Sequence, residues 1–115
     1  MTGRMILLVF GLACTVATAY AQDAALVEKG QKVYTAVKPA CITCHSVDGK
    51  GNKKGPLDEV GSKLSADEIR QWLVNAEEMT AKAKAARKPL MKSYSKLPKE
   101  DLDALVAYLH SLKKK

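Results

Sequence analysis

Two thiols and an imidazole fall within five residues at Cys41-Ile42-Thr43-Cys44-His45, and no other stretch of this 115-residue chain restricts its fold as tightly. Cysteines three apart close so short a loop that a disulfide there would restrain the unfolded chain little. A thioredoxin-like C-x-x-C belongs to an α/β fold, and no run here alternates as a strand would. A structural zinc needs four protein ligands. Cys41, Cys44, His45 and His110 could nominally supply them, but adjacent Cys44 and His45 would strain the tetrahedron. C-x-x-C-H is also the attachment site of a c-type haem. On one helical turn both thiols reach the porphyrin edge and can add to its two vinyl groups. His45 is thereby set over the ring, offering an imidazole nitrogen to iron.

The first 21 residues read as an export address. Arg4 gives a short positive start, Met5 to Ala17 are almost uncharged, and Ala19-Tyr20-Ala21 forms the small-x-small pattern of a signal-peptidase site. Cleavage is expected before Gln22, leaving a single domain over residues 22–115. A membrane anchor would want about 20 apolar residues, and this stretch is shorter, with Thr15 and Thr18 at its end. A lipoprotein signal at Cys14 fits less well, because Gly11 stands where a large aliphatic residue is usual. The mature chain keeps only Cys41 and Cys44, in an oxidising compartment outside the cytoplasm. No membrane span remains after cleavage.

Removal of the leader also changes the apparent core. Residues 1–21 hold 15 of the 54 apolar residues, and of the 39 in the other 94 residues 12 are alanine. Domains of this size bury a modest share of their surface and often need a staple. A flat apolar haem would supply the missing core, so the chain without it is expected to be largely unfolded.

The mature chain reads as all-α. Leu26, Val27, Val33, Tyr34 and Val37 recur at helical spacing over residues 23 to about 37, and Pro39 stops that helix. Residues 46–61 form a long Gly-, Lys- and Asp-rich loop, of a length that is usually functional. Ser65 and Glu68 make a capping box for a helix whose apolar side is Ile69, Trp72, Leu73 and Ala76. Thr80 to Lys88 is rich in alanine and lysine and is expected to be helical until Pro89. A last helix follows Pro98, with Glu100 and Asp101 at its positive end, an apolar stripe of Leu102, Leu105, Val106, Leu109 and Leu112, and Lys113-Lys114-Lys115 at its end. His110 falls opposite the Leu102–Leu105–Leu109 stripe and should face water.

From about Ala24 to Leu112 the chain resembles the class I c-type cytochromes, monohaem and soluble, of bacterial type. The matching pieces are Gly30 with Val33-Tyr34, the Cys41–His45 motif, Gly55-Pro56-Leu57 with Val60-Gly61, Leu64 to Ile69, Pro89-Leu90-Met91, and Leu102 to Leu112. The resemblance implies a small cytochrome c fold of three to five helices around one covalently bound haem c. It also implies that the first and last helices cross, with Gly30 and Tyr34 meeting the Tyr108 region. Glycine permits close backbone approach at such a crossing.

Met/His ligation suits electron transfer, since both axial sites are filled and the thioether raises the potential. Met91, after Pro89 and shortly before the last helix, stands where the family places its sixth ligand; Met79 is the alternative, near the end of the Trp72 helix. The family often has proline after its axial methionine, and here that position is Lys92. The resemblance puts Pro56 in the role of carbonyl acceptor for the second nitrogen of His45. Trp72 and Tyr94 are further candidate haem contacts, either donating hydrogen bonds or packing as buried aromatics.

The mature polypeptide has a net charge of +6, and Lys82, Lys84, Arg87, Lys88, Lys92, Lys96 and Lys99 crowd the segment around Met91. A basic ring of that kind would steer redox protein partners with acidic docking surfaces. Nucleic-acid binding has no matching motif. The expectation is a monomeric periplasmic electron carrier, not an enzyme. Two alternatives are a haem sensor with an open sixth site and a haem subunit of a larger oxidoreductase.

Overall fold

The structure is a computed structural model that describes Gly11 and residues 16–115, with side chains from Ala24 onward. Residues 1–10 and 12–15, the greater part of the expected leader, lie outside the described residues. Helix α1 (Val16–Ala36) begins well before residue 23 and runs through the Ala21–Gln22 bond. Alanine, the best helix former, recurs there and carries the helix past the periodic segment. Four further helices follow: α2 (Val60–Lys63), α3 (Ala66–Val74), α4 (Ala76–Lys82) and α5 (Lys99–Ser111). No helix among the described residues is long and apolar enough to cross a membrane.

The principal contact in the fold is the crossing of α1 and α5. A Cβ on Gly30 would overlap the Ala104 carbonyl oxygen and lie 2.6 Å from Tyr108 Cβ, so the two helices meet backbone to backbone. One turn along α1, the Tyr34 ring meets Tyr108 edge to face at 5.6 Å between centroids, a favoured aromatic arrangement. Both rings are buried, as are Val37, Ile69, Leu73, Leu102, Val106 and Leu109. Leu105 is the one large side chain among the described residues with essentially no exposure. The Tyr34 hydroxyl is buried without a hydrogen-bond partner, and burial pushes its pKa up to about 12.

The capping box forms at α3. Glu68 N donates to Ser65 Oγ at 3.1 Å, and Ser65 N donates to Glu68 Oε1 at 3.2 Å. Arg70 Nη2 on α3 reaches Asp103 Oδ1 on α5 at 2.6 Å, joining the two helices. The end of α5 is held by α2: Gly61 N donates to Leu112 O at 2.7 Å, and Lys113 Nζ donates to Gly61 O at 3.0 Å. The lysine tail therefore lies beyond the helix instead of inside its last turn.

Two expectations need correction. The alanine- and lysine-rich segment is not helical to Lys88, because α4 stops at Lys82 and Lys84 takes a positive φ of 51°. Residues 83–90 are all exposed. A short helix with no face to bury is marginal in water, and Lys84 and Lys88 would repel each other across one turn. The long loop after the motif is also not free of strand. Ser46–Val47 (β1) pairs antiparallel with Lys50–Gly51 (β2). Asp48 and Gly49 at its tip both have positive φ, 51° and 76°, the conformation of a tight two-residue hairpin turn.

Candidate haem-attachment site

The motif begins where α1 has ended. Ala40 is extended, and Cys41–Thr43 form a single 3₁₀ turn. Cys44 N and His45 N both donate to the Cys41 carbonyl, at 3.1 and 2.8 Å. Residues three apart in such a turn eclipse, which stacks Cys41 and Cys44 on one side. Both thiols are free, with Cys41 buried and Cys44 half-buried. Burial pushes the Cys41 thiol up from its ordinary value, with the Tyr94 hydroxyl beside it opposing that shift.

His45 is held by the segment that returns after the hairpin. Its Nδ1 lies 3.0 Å from the Gly55 carbonyl oxygen. A carbonyl can only accept, so Nδ1 carries the hydrogen and Nε2 keeps its lone pair. Burial lowers the His45 pKa below the ordinary value of 6.5; the Gly55 bond opposes this, and the Arg87 charge adds to it. At neutral pH the ring is a neutral ligand with one nitrogen free.

The acceptor is Gly55 and not Pro56, which corrects the expectation drawn from the resemblance. Ser46 forms a parallel bridge with Pro56, donating its N–H to Gly55 O at 3.1 Å and accepting from Leu57 N at 2.9 Å. That pairing turns the Gly55 carbonyl toward the motif and the Pro56 carbonyl away from it. Gly55 is required there, since a Cβ would overlap the Cys44 carbonyl oxygen and the Arg87 guanidinium and sit 3.0 Å from His45 Nδ1.

The chain between α4 and α5 carries Met91, half-buried and packed against the hydrophobic core. Met79 is also half-buried, on α4. Among the described residues, no three His, Cys, Asp or Glu side chains converge to hold a bare metal ion. The four-ligand set of Cys41, Cys44, His45 and His110 is therefore not assembled. Two free thiols on one turn, followed at once by a neutral imidazole with Nε2 free, fit a covalently attached haem. A family model for cytochrome c matches residues 27–113. This chain belongs to the cytochrome c family.

No curated protein and no solved structure matches it. The cytochrome c match spans both crossing helices and everything between them, so the motif and the fold belong to one unit. Members of the family carry covalently attached haem c, typically one per domain, and serve haem-based electron transfer. In this cytochrome c, Tyr94 donates its hydroxyl to the Pro39 carbonyl at 2.5 Å and its N–H to the Leu73 carbonyl at 2.6 Å. Trp72 is half-buried on α3, one residue before Leu73. His110 is half-buried and lines a shallow cavity with Leu26, Val27 and Ala107, on a helix the motif does not use.

Three residues of the site have no signal of their own in the sequence. Asn52 N donates to both Ile42 O and His45 O, at 3.0 and 2.9 Å, and its side-chain amide donates to Thr43 O at 3.2 Å. It ties the hairpin to the turn that bears the cysteines. Ser93 Oγ accepts the Ala76 N–H at 2.9 Å and docks the Met91 loop on the start of α4. Arg87 lies against Gly55 and His45. Asn, Ser and Arg in loops are so common that only their partners mark them.

Proposed function

We propose that this cytochrome c is a periplasmic electron carrier, exported by a leader over residues 1–21 that is cleaved before Gln22. Cys41 and Cys44 would hold haem c through thioethers, and His45 and Met91 would ligate its iron. When bound, haem c supplies an iron that takes up and releases one electron. The observation that carries the reading is His45 itself, neutral and oriented through Gly55 with Nε2 free. The half-buried thioether of Met91, on the loop anchored by Tyr94, supports the second ligand. With His45 and Met91 both given to the iron, the protein would leave it no open position for a substrate. The residues then hold one geometry through the redox change, which favours electron transfer over bond chemistry.

The charge pattern supports a class of partner. All seven cations named around Met91 are exposed. Lys82 pairs with Glu78 at 2.9 Å and Lys99 with Asp103 at 3.2 Å. Lys84, Arg87, Lys88, Lys92 and Lys96 have no carboxylate partner among the described residues. They form a basic surface suited to short-lived docking with an acidic redox protein.

Replacing Met91 and Met79 separately by alanine in the haem-loaded protein tests the ligand set. Met91→Ala is expected to abolish the methionine-sulfur charge-transfer absorption of the oxidised protein, while Met79→Ala retains it. The reverse result assigns the ligand to Met79. Loss in neither leaves the sixth position to another group and defeats the Met91 reading.

A further inference from the structure

Tyr94 stands three residues beyond Met91 on the chain between α4 and α5 and reaches back to the segment that bears Cys41. Among the described residues, no backbone-to-backbone hydrogen bond ties residues 86–92 to the rest of the fold. The loop is instead secured at Ser93–Tyr94, by three bonds that run to different places. Ser93 Oγ holds Ala76 N at 2.9 Å, Tyr94 N holds Leu73 O at 2.6 Å, and Tyr94 Oη donates to Pro39 O at 2.5 Å. The first two fasten the loop to α3 and α4. Only the third crosses to the attachment segment, two residues before Cys41. Three residues of extended chain span at most about 10 Å, so a displacement at Tyr94 is passed to Met91 with little slack.

We propose that the hydrogen bond from the Tyr94 hydroxyl to the Pro39 carbonyl is a latch that holds the Met91 side of the site against the cysteine-bearing segment. Tyr94 is thus a positioning residue for the sixth ligand. This rests on the assignment of Met91 made above. The ring alone supplies packing, whereas the hydroxyl, which also lies beside the Cys41 sulfur, ties the two segments together through Pro39. One neutral hydrogen bond shifts an equilibrium by about two- to twelvefold. Removing it should enlarge by that factor the population in which the methionine has left.

The test is Tyr94→Phe in the haem-loaded protein, with Met91→Ala in parallel. Two readouts are taken: carbon monoxide association with the reduced protein, and thermal loss of the sulfur charge-transfer absorption alongside far-UV helicity. The latch predicts association about two to twelve times faster in Tyr94→Phe. It also predicts that the charge-transfer absorption is lost at a lower temperature while the helical transition stays in place. An unchanged association rate overturns it, as does a parallel fall of both transitions, the mark of a merely structural residue. A Tyr94→Phe chain that fails to acquire haem overturns it as well, because the latch acts on the sixth ligand and not on attachment. If Met91→Ala keeps the absorption, the Met91 assignment has failed and the latch with it. If Met91→Ala loses it and Tyr94→Phe is silent, the latch alone has failed.

Discussion

Gly30 is the residue on which the crossing of α1 and α5 turns. A Cβ there would enter the Ala104 carbonyl, a backbone atom that cannot rotate aside as a side-chain tip can. Overpacking of this kind costs about 1–3 kcal/mol, and in a domain of this size each kcal/mol lowers the Tm by about 4–8 °C. Gly30→Ala should therefore melt at least about 4 °C below the parent in the haem-loaded protein. A Tm unchanged within error would show that the helices can separate without cost. Gly30 was legible in the sequence because Tyr34 and Tyr108 accompany it in a family pattern. The acceptor for His45 was less so: Gly55 and Pro56 are neighbours, and only the Ser46–Pro56 bridge decides which carbonyl faces the ring.

The elements differ in how much of themselves they declare. The capping box at Ser65 and the apolar stripe of α5 form as the periodicity requires, because their signals are local. The end of α4 depends on what the segment can bury, which composition cannot report: alanine and lysine favour a helix, but residues 83–90 are all exposed and give a helix no face to bury. The hairpin was present in the sequence as Asp48-Gly49, a turn pair overshadowed by the absence of alternation in strands only two residues long. The link between α3 and α5 yields a prediction at this scale. The Arg70 hydrogen bond, and then that of Lys99, hold the Asp103 carboxyl below its ordinary value of 3.8. A carboxylate whose native pKa is depressed contributes stability above its unfolded value and loses it as pH falls through the lowered native value. Asp103→Asn should lower the Tm at neutral pH, with the gap to the parent closing as pH falls well below 3.8. A gap of constant size down to that pH would mean that the charge does not matter.

For the whole molecule, the cofactor and the chain are parts of one core. Tyr34, Leu105, Tyr108 and their neighbours bury the crossing of two helices, yet Ile42 beside the cysteines and Leu90 beside Met91 stay 50% and 40% exposed. Open apolar side chains in the attachment motif and beside Met91 are the kind of surface that a flat apolar haem held there would cover. Its charge belongs to the same scale. With a net +6 over residues 22–115 and, among the described residues, cations on the Met91 loop that have no carboxylate partner, its second-order electron-transfer rate with an acidic partner should fall as ionic strength rises. A rate flat in salt would remove the basic surface from the docking account.

The claim on which the rest depends is that His45 and Met91 close both faces of a covalently held haem. The visible spectrum of the reduced, periplasmically matured protein, recorded with and without carbon monoxide, tests it most directly. The account predicts no prompt change of these bands, any carbon monoxide adduct forming only as slowly as the methionine leaves, together with a methionine-sulfur charge-transfer absorption in the oxidised state. Prompt formation of a carbon monoxide adduct would contradict it and make the protein a ligand-binding haem sensor.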